Sequence, residues 1–270
     1  MQKDILSSEI VLNSITENTL VKDVCYRDMT SSTNDLARAE AQNGAGNGVL
    51  FIADTQTSGK GRFKRAWVSP SGAGIWATIL LRPDMQVSLS TGYSILCGVA
   101  VARAINNVTG LNAMIKWPND VIVNGKKVCG ILSEMNNKKD KIDWIAIGFG
   151  VNVNIDKKDI SKEISHKATS LSIESGKAIP RIELLKDILN QFEALFNEYE
   201  YKKSLNFITE EYESKSCVIG KQIEIIEGEY TKKGFAVGFN DAGALMLKTD
   251  NGIEIINYGE VSVRGEGIYA

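Results

Sequence analysis

Two short segments of the sequence carry residues whose types and spacing could do chemistry on anionic groups. The first is the loop QTSGKGR, from Gln56 to Arg62, and the second is KWPNDVIVNGKKVCG over residues 116–130. Glycines expose backbone N–H groups and nearby basic side chains supply positive charge, so the loop could cradle a phosphate or a carboxylate. Taken alone, the loop is equally compatible with a mobile basic surface segment.

The second segment predicts a β-hairpin that brings a lysine beside a carboxylate. Asn-Gly at 124–125 lies between two apolar runs, which is a strong signal for a two-residue turn. In that register Asp120 pairs with Cys129 and points to the same face as Lys127, within reach of its side chain. Such a lysine could stabilise charge on a carboxylate and a phosphate, and Asp120 could hold magnesium. A solvated surface hairpin is the alternative.

Other familiar sites do not fit the residues present. The basic loop is not a Walker A loop, because Asp54 stands where the first glycine should be and Gly61 follows Lys60 in place of Ser or Thr. The single histidine, His166, lies in a polar stretch and is predicted to be a surface residue. It leaves little from which to build a zinc centre or a histidine-based triad.

Composition predicts an ordinary globular protein, and its four widely spaced cysteines are typical of reduced thiols in the cytoplasm. The 270 residues are 43% hydrophobic and 24% charged, with a net charge of −2. That charge argues against a globally basic, nucleic-acid-coating surface, although local basic clusters stay possible. No apolar run approaches the ~18–20 residues that span a bilayer, and the N-terminus lacks a signal peptide's apolar core, so no membrane association is expected.

Hydrophobic periodicity predicts the elements that position these segments. In chain order they are a helix from Ser32, strands over 49–53 and 75–81, a helix around 95–105, strands over 115–117, 121–123, 128–134 and 144–154, and a helix over 182–201. Beyond residue 215, short apolar runs over 221–227, 233–240, 243–249 and 253–264 predict a small β-barrel. The sequence therefore predicts an α/β (α+β) domain over 1–215, with 1–24 as a leader segment, and an all-β domain over 216–270.

Taken together, the segments resemble those of the biotin protein ligases. In that family's order and approximate spacing stand SSTN at 31–34, DTQTSGKGR at 54–62, KWPND at 116–120, KKVCGIL at 126–132, GFGVNVN at 148–154 and ATSL at 168–171. The resemblance covers the chain from about Tyr26 to its end. It implies a catalytic domain like that of class II aminoacyl-tRNA synthetases, with a mixed sheet and flanking helices, followed by an SH3-like β-barrel domain.

The resemblance also implies a two-step ligase reaction. Biotin and MgATP would give biotinyl-5′-AMP and pyrophosphate, after which a lysine of a biotin carboxyl carrier protein domain attacks the mixed anhydride. The carrier would belong to a biotin-dependent carboxylase, and ATP and Mg²⁺ would be the cofactors. Such chemistry needs positioning and charge stabilisation, and it requires no protein nucleophile. Family members form dimers through a sheet edge, so a homodimer is compatible with the resemblance.

The family's site residues carry over position by position. Lys127 would bridge the carboxylate and the phosphate, and Arg62 would order the loop over them. The residues expected at biotin are Ser32, Thr33, Asn34, Gln56, Lys60, Gly61, Arg62, Lys127 and Gly130. The residues expected at ATP are Arg62, Arg65, Trp67, Lys116, Asn119, Asp120 and Asn152, with Asp120 as the candidate magnesium ligand.

Two departures from the family pattern affect what is expected. The family's loop usually reads GRGRxGR; here Lys60 lacks a guanidinium fork and Lys64 replaces a glycine, so we expect a different closed shape. Only about 25 residues precede the catalytic domain, too few for the winged-helix domain of some members, so neither transcriptional repression nor a DNA partner is expected.

Two alternatives stay open at this point. The nearer one is a lipoate or octanoate ligase or transferase, which shares the catalytic fold. The other is a non-enzymatic nucleotide- or RNA-binding module that uses the basic loop and the barrel, although the barrel is neither basic nor rich in stacking aromatics.

Overall fold

The computed structural model describes residues 4–227, 229–257 and 261–265 of the chain. Its larger sheet is mixed and seven-stranded, in the order β1-β2-β3-β7-β6-β5-β4. The strands are β1 Asp23–Thr30, β2 Val49–Gln56, β3 Gly74–Leu81, β4 Ala113–Lys116, β5 Asp120–Val123, β6 Lys126–Lys138 and β7 Lys141–Asn152. The β1–β2 pair is parallel and the other neighbours are antiparallel.

Helices cover both faces of this sheet. The α-helices among the described residues are α1 Ser8–Ser14, α2 Thr33–Gln42, α3 Thr91–Thr109, α4 Leu171–Ser175, α5 Arg181–Lys202 and α6 Thr209–Ser214, of which α6 contacts the C-terminal part of the chain. The apolar sides of α3 and α5 pack together within the main core. On the other face, α2 buries Ala37 and Ala41 against Phe51, Leu80 and Trp144. All eight residues of β3 are buried, because this central strand is covered on both faces.

The C-terminal part of the chain forms a second, antiparallel sheet of five strands. They are β8 Gln222–Glu227, β9 Tyr230–Phe239, β10 Leu245–Thr249, β11 Gly252–Ile256 and β12 Val261–Gly265, in the order β11-β10-β9-β8-β12. Its inner residues join the same hydrophobic core as the larger sheet. Trp117, which is fully buried, donates a hydrogen bond from Nε1 to the carbonyl of Gly243 at 3.0 Å.

This architecture confirms the predicted fold class, a mixed α/β unit followed by an all-β unit. The division at 215/216 stays a prediction, and residues 1–3, 228, 258–260 and 266–270 of the predicted leader and C-terminal domain lie outside the described residues. Every predicted helix and strand over 32–201 is present. The apolar run 253–264 is not one strand, because β11 pairs with β10 and β12 pairs with β8.

Two elements near the N-terminus were not among those predicted. Helix α1 lies within residues 1–24, with Val11 fully buried, and the edge strand β1 begins at Asp23, where the mixed polar sequence does not reveal a strand. Helix α2 begins after Ser32 as predicted; a serine at this position often caps a helix, but the Ser32 side chain makes no capping hydrogen bond. Ser32 is instead buried at the end of the helix that faces the loop after β2.

The hairpin that carries Lys127 departs from its predicted register by one residue. The turn at 124–125 and the first two residue pairs form as predicted. A register shift beyond them then places Asp120 opposite Gly130 instead of Cys129. The cause is a β-bulge: β6 has one more residue than β5 over this stretch, and that residue stays unpaired. The sequence of the two-residue turn does not indicate the bulge. The predicted contact forms nevertheless, with Nζ of Lys127 2.6 Å from Oδ1 of Asp120.

One apolar helical segment of the protein is as long as a membrane span. The segment Val87–Thr109, which contains α3, is long and apolar enough to cross a bilayer by length and composition. Most of it is buried against the sheet and α5. Its apolar character is therefore that of a central core helix.

A buried arginine joins the N-terminal segment to the sheet. Arg181, at the start of α5, is 2% exposed. Its guanidinium donates to the side chain and carbonyl of Asp4, to Oδ1 of Asp54 at 3.2 Å and to the carbonyl of Gly74 at 3.1 Å. Burial by itself raises the pKa of Asp54, but hydrogen bonds from Ser71 and Arg181 outweigh it and hold the pKa below its usual value.

Replacing Arg181 with methionine should lower the free energy of unfolding by about 2–4 kcal/mol, because two carboxylates lose their buried partner. The expected loss of stability is smaller than for a fully buried ion pair, because the side chains of Asp4 and Asp54 are 34% and 21% exposed. Urea denaturation measures the change. Arg27→Met, on the exposed side of β1, is the matched control, and equal unfolding midpoints for the two variants would contradict the assignment.

Candidate active site

A cavity of about 450 Å³ opens between the start of α2, the loop after β2 and the β5–β6 hairpin. It brings together all of the site residues predicted from the sequence. They are Ser32, Thr33, Asn34, Gln56, Lys60, Gly61, Arg62, Arg65, Trp67, Lys116, Asn119, Asp120, Lys127, Gly130 and Asn152. Segments about 120 residues apart in the sequence thus contribute to one site.

Lys127 is held at the centre of the cationic part of the cavity. Its ammonium group pairs with Asp120 and lies 5.0 Å from the centre of the Trp67 ring. The lysine side chain is 25% exposed and that of Asp120 is 15% exposed, so the pair is only partly hydrated. Since a charge acts more strongly away from water, Lys127 is well placed to stabilise negative charge on a ligand.

Lys116 adds a second, more deeply buried cation. Lys116 lies opposite Asp120 in the register of β4 and β5, and it is 7% exposed. Burial lowers the pKa of Lys116 to about 8; Asp120 opposes the shift, and the charges of Lys127 and Arg264 add to it. The cavity therefore holds a lysine whose charge changes close to neutral pH.

The floor of the cavity is formed by backbone where two glycines occupy alternate positions of β7. A Cβ at Gly148 would lie 1.9 Å from Oδ1 of Asn34, and one at Gly150 would lie 2.5 Å from Nε1 of Trp67. Both side chains can approach the sheet only because these positions lack Cβ. Nε1 of Trp67 is buried and has no hydrogen-bond partner in the part of the chain that the structure describes, so ring packing holds it there.

The basic loop is closed by its own backbone. The N–H of Gly61 donates to the carbonyl of Arg65, and that of Trp67 to the carbonyl of Gly59, both at 2.8 Å. Arg62 reaches across to the hairpin and donates to Oδ1 of Asn119 at 3.1 Å. The loop is therefore bonded to the hairpin and lies over the cavity.

Phe63 and Lys64, at the tip of this loop, adopt left-handed backbone conformations with φ of 57° and 58°. Residues with a Cβ seldom occupy this region, which costs roughly 1–2 kcal/mol per residue. Lys64, which stands where the family pattern has a glycine, thus has a backbone conformation that favours glycine, and a different closed shape of the loop stays a prediction. The guanidinium groups of Arg62 and Arg65 lie 5.0 and 5.5 Å from the centre of the Phe63 ring, a contact that the sequence did not indicate.

The other end of the cavity is polar and uncharged. The N–H of Thr33 donates to Oε1 of Gln56 at 2.8 Å, and Nε2 of Gln56 donates to Oγ of Ser69 at 2.8 Å. Lys60 also lines the cavity, and its charge is paired with that of Asp35, in the first turn of α2, at 2.5 Å. This end can bind a neutral polar group, whereas the end near Lys127 can bind anions.

Two of the predicted site residues, Asn119 and Asn152, donate a side-chain N–H to a backbone carbonyl of the protein. Nδ2 of Asn119 donates to the carbonyl of Ile131, and Nδ2 of Asn152 to that of Thr169, each at 3.0 Å. Both bonds hold neighbouring segments of the cavity wall in place. Their contribution to the site is therefore at least partly architectural.

Sequence reasoning missed two parts of the cavity wall. One is the segment 159–168, held beside Lys127 by a bond from the Lys127 N–H to the carbonyl of Lys167 at 2.8 Å. The other comprises Val263 and Arg264 of β12. The motif ATSL at 168–171 marked the end of the first segment, but no local pattern indicated that β12 reaches the site. His166 is exposed, as predicted.

Comparison with known proteins agrees with this geometry. Residues 26–152 match the model of the biotin/lipoate A/B protein ligase family, and residues 218–264 match that of the biotin protein ligase C-terminal domain. Among solved structures, the chain is similar to the biotin protein ligase from Aquifex aeolicus in complex with biotin and ATP. The TM-score is 0.78 at 29% identity, over 90% of this chain and 99% of the other.

The chain is also similar in sequence to curated relatives. The bifunctional ligase/repressor BirA of Bacillus spizizenii is 38% identical over 238 residues, covering 88% of this chain and 73% of the relative. The biotin--[acetyl-CoA-carboxylase] ligase of Mycobacterium tuberculosis is 31% identical over 243 residues, covering 86% and 85%. With both halves matched in order and most of each relative covered, the chain belongs to the biotin protein ligase family.

Proposed function

We propose that this chain is an ATP-dependent, AMP-forming biotin protein ligase that makes biotinyl-5′-AMP and transfers biotin to a lysine of a carrier domain. The observation that carries the proposal is the pairing of Lys127 with Asp120 at 2.6 Å, in a cavity that also contains Arg62 and Lys116. Attack of a carboxylate on the α-phosphate of ATP brings two anions together, and fixed cations lower that barrier.

The two ends of the cavity suggest how the substrates lie. The neutral end, with Ser32, Thr33 and Gln56, suits the ureido ring of biotin, and the apolar chain would then point its carboxylate toward Lys127. Lys127 bridges that carboxylate and the α-phosphate, while Arg62 holds the loop over both groups. The remaining predicted contacts stay as proposed: Asn34, Lys60, Gly61 and Gly130 toward biotin, and Arg65, Trp67, Lys116, Asn119, Asp120 and Asn152 toward ATP.

Magnesium fits this site through the nucleotide. Among the described residues, no group of three histidine, cysteine, aspartate or glutamate side chains could hold a metal by itself. Magnesium typically takes one or two protein carboxylates together with substrate phosphates. Asp120 would be the carboxylate here, and the metal would neutralise phosphate charge.

The acceptor and the cellular setting follow from the same family. We propose as acceptor the biotin carboxyl carrier protein domain of a biotin-dependent carboxylase, since curated relatives are named for the acetyl-CoA-carboxylase. A cytoplasmic location, a homodimer, an SH3-like C-terminal domain over 216–270 and the lack of DNA binding stay predictions.

Pyrophosphate release from ATP and magnesium tests the proposal directly. Release with biotin, and transfer of label to a carrier domain, are the expected results. Release with lipoate but not with biotin would instead identify a lipoate ligase. No release with either acid would favour a binding module.

Replacing Lys127 with methionine should slow biotin-dependent pyrophosphate release by about 10²–10³-fold, because a preorganised charge at the reacting groups is lost. Methionine keeps an apolar chain against Trp67, and the melting temperature should change little. Lys126→Met is the matched control, since Lys126 is the adjacent hairpin residue and does not line the cavity. Equal rates for the two variants would rule out the role given to Lys127.

The affinity for ATP should fall as the pH rises through about 8, because Lys116 then loses its charge. The KM for ATP, measured between pH 7 and 9, should increase severalfold in the wild type. Arginine stays protonated throughout this range, so Lys116→Arg should show a much flatter profile. The same increase in both proteins would show that another group titrates.

A further inference from the structure

The buried strand β3 contains a single hydroxyl-bearing residue, Thr78, which is fully buried and does not line the cavity. Its Oγ1 lies 2.8 Å from Oδ1 of Asn34 and also 2.8 Å from Oγ1 of Thr33. A hydroxyl carries one hydrogen, so Thr78 can donate only one of these two bonds. The surroundings of Asn34 determine which one it is.

The side-chain amide of Asn34 can have only one orientation. On one side it lies 3.1 Å from the carbonyl oxygen of Leu132 and 2.8 Å from Oε2 of Glu134. Both of these oxygens are acceptors, so the amide nitrogen must face them and Oδ1 must face Thr78. Because Oδ1 can only accept, the hydrogen of Thr78 is donated to Asn34.

Thr33 must then supply the hydrogen of its own bond to Thr78. Its backbone N–H is already donated to Gln56, and Thr33 lines the cavity. The same hydroxyl lies 3.2 Å from Oε1 of Gln56, a second acceptor, but its contact with Thr78 is shorter, at 2.8 Å. Its one hydrogen is therefore engaged within the protein, and Oγ1 of Thr33 can only accept a hydrogen bond from a ligand. The donor of each bond is thus fixed: Thr33 donates to Thr78, Thr78 donates to Asn34, and Asn34 donates to Glu134.

We propose that Thr78 is a positioning residue that fixes the Thr33 hydroxyl as a hydrogen-bond acceptor, so that the cavity selects a ligand ring presenting an N–H group there. The inference rests on the proposed function, in which that ring is the ureido ring of biotin. Thr78 touches no substrate and acts only through Thr33 and Asn34.

The test compares Thr78→Val, which keeps the shape but removes the hydroxyl, with Thr78→Ser, which restores it. Ser94→Ala is the matched control, because it removes a buried hydroxyl that bonds to Ser133 away from the cavity. For each variant, calorimetry gives the Kd for biotin alone and for biotin methylated on the ring nitrogens. The KM for ATP and the melting temperature are measured alongside.

In Thr78→Val the Kd for biotin should rise about tenfold, as for one lost hydrogen bond, with the KM for ATP unchanged. The ratio of the Kd for the methylated compound to the Kd for biotin should be smaller in this variant than in the wild type. Thr78→Ser and Ser94→Ala should bind biotin like the wild type. Even if Thr78→Val does not fold, equal affinities of the wild type for biotin and the methylated compound would overturn the inference.

Other outcomes also separate the inference from the proposed function. An unchanged biotin Kd in Thr78→Val, or a Thr78→Ser variant as weak as Thr78→Val, would overturn the role of Thr78 while leaving the ligase intact. A wild type that neither binds biotin nor releases pyrophosphate with it would instead overturn the proposed function.

Discussion

The site depends on a patch of the central sheet from which side chains are absent. Gly148 and Gly150 occupy alternate positions of β7, and Gly130 lies opposite Gly150 on β6. Since side chains alternate along a strand, these glycines share one face. The intervening residue, Phe149, is buried in the main core, so one strand provides both a packed interior and a bare floor onto which Asn34 and Trp67 can close.

Above this floor, basic side chains are concentrated in a small volume. Lys116, Lys127 and Arg62 line one cavity, where Asp120 forms an ion pair with Lys127 and lies opposite Lys116 on the neighbouring strand. Removing cations from water is unfavourable unless partners compensate them, and the lowered pKa of Lys116 reflects that cost. An anionic ligand would add negative charge beside these cations, so affinity for phosphate and carboxylate is expected from the positive charge that lines the cavity.

The sequence predicted those parts of the site that depend on local rules. The Asn-Gly turn and strand alternation placed Lys127 beside Asp120, although a bulge put Gly130 and not Cys129 opposite that aspartate. Long-range packing was not predictable. Nothing local shows that Arg264 reaches the cavity, or that the mixed sequence of β1 pairs with β2. Individual ligand contacts came only from family resemblance, because spacing does not specify what a polar side chain binds.

The hydrogen bond from Trp117 to Gly243 has a consequence for how the protein unfolds. Next to it, the backbone of Ile115 exchanges hydrogen bonds with Lys215 and Cys217, and the inner residues of both sheets belong to one core. Separating the C-terminal sheet would expose Trp117 and the hairpin edge together. The two sheets should therefore melt as one cooperative unit, in a single transition, and weak packing far from the cavity would loosen the hairpin that carries Lys127.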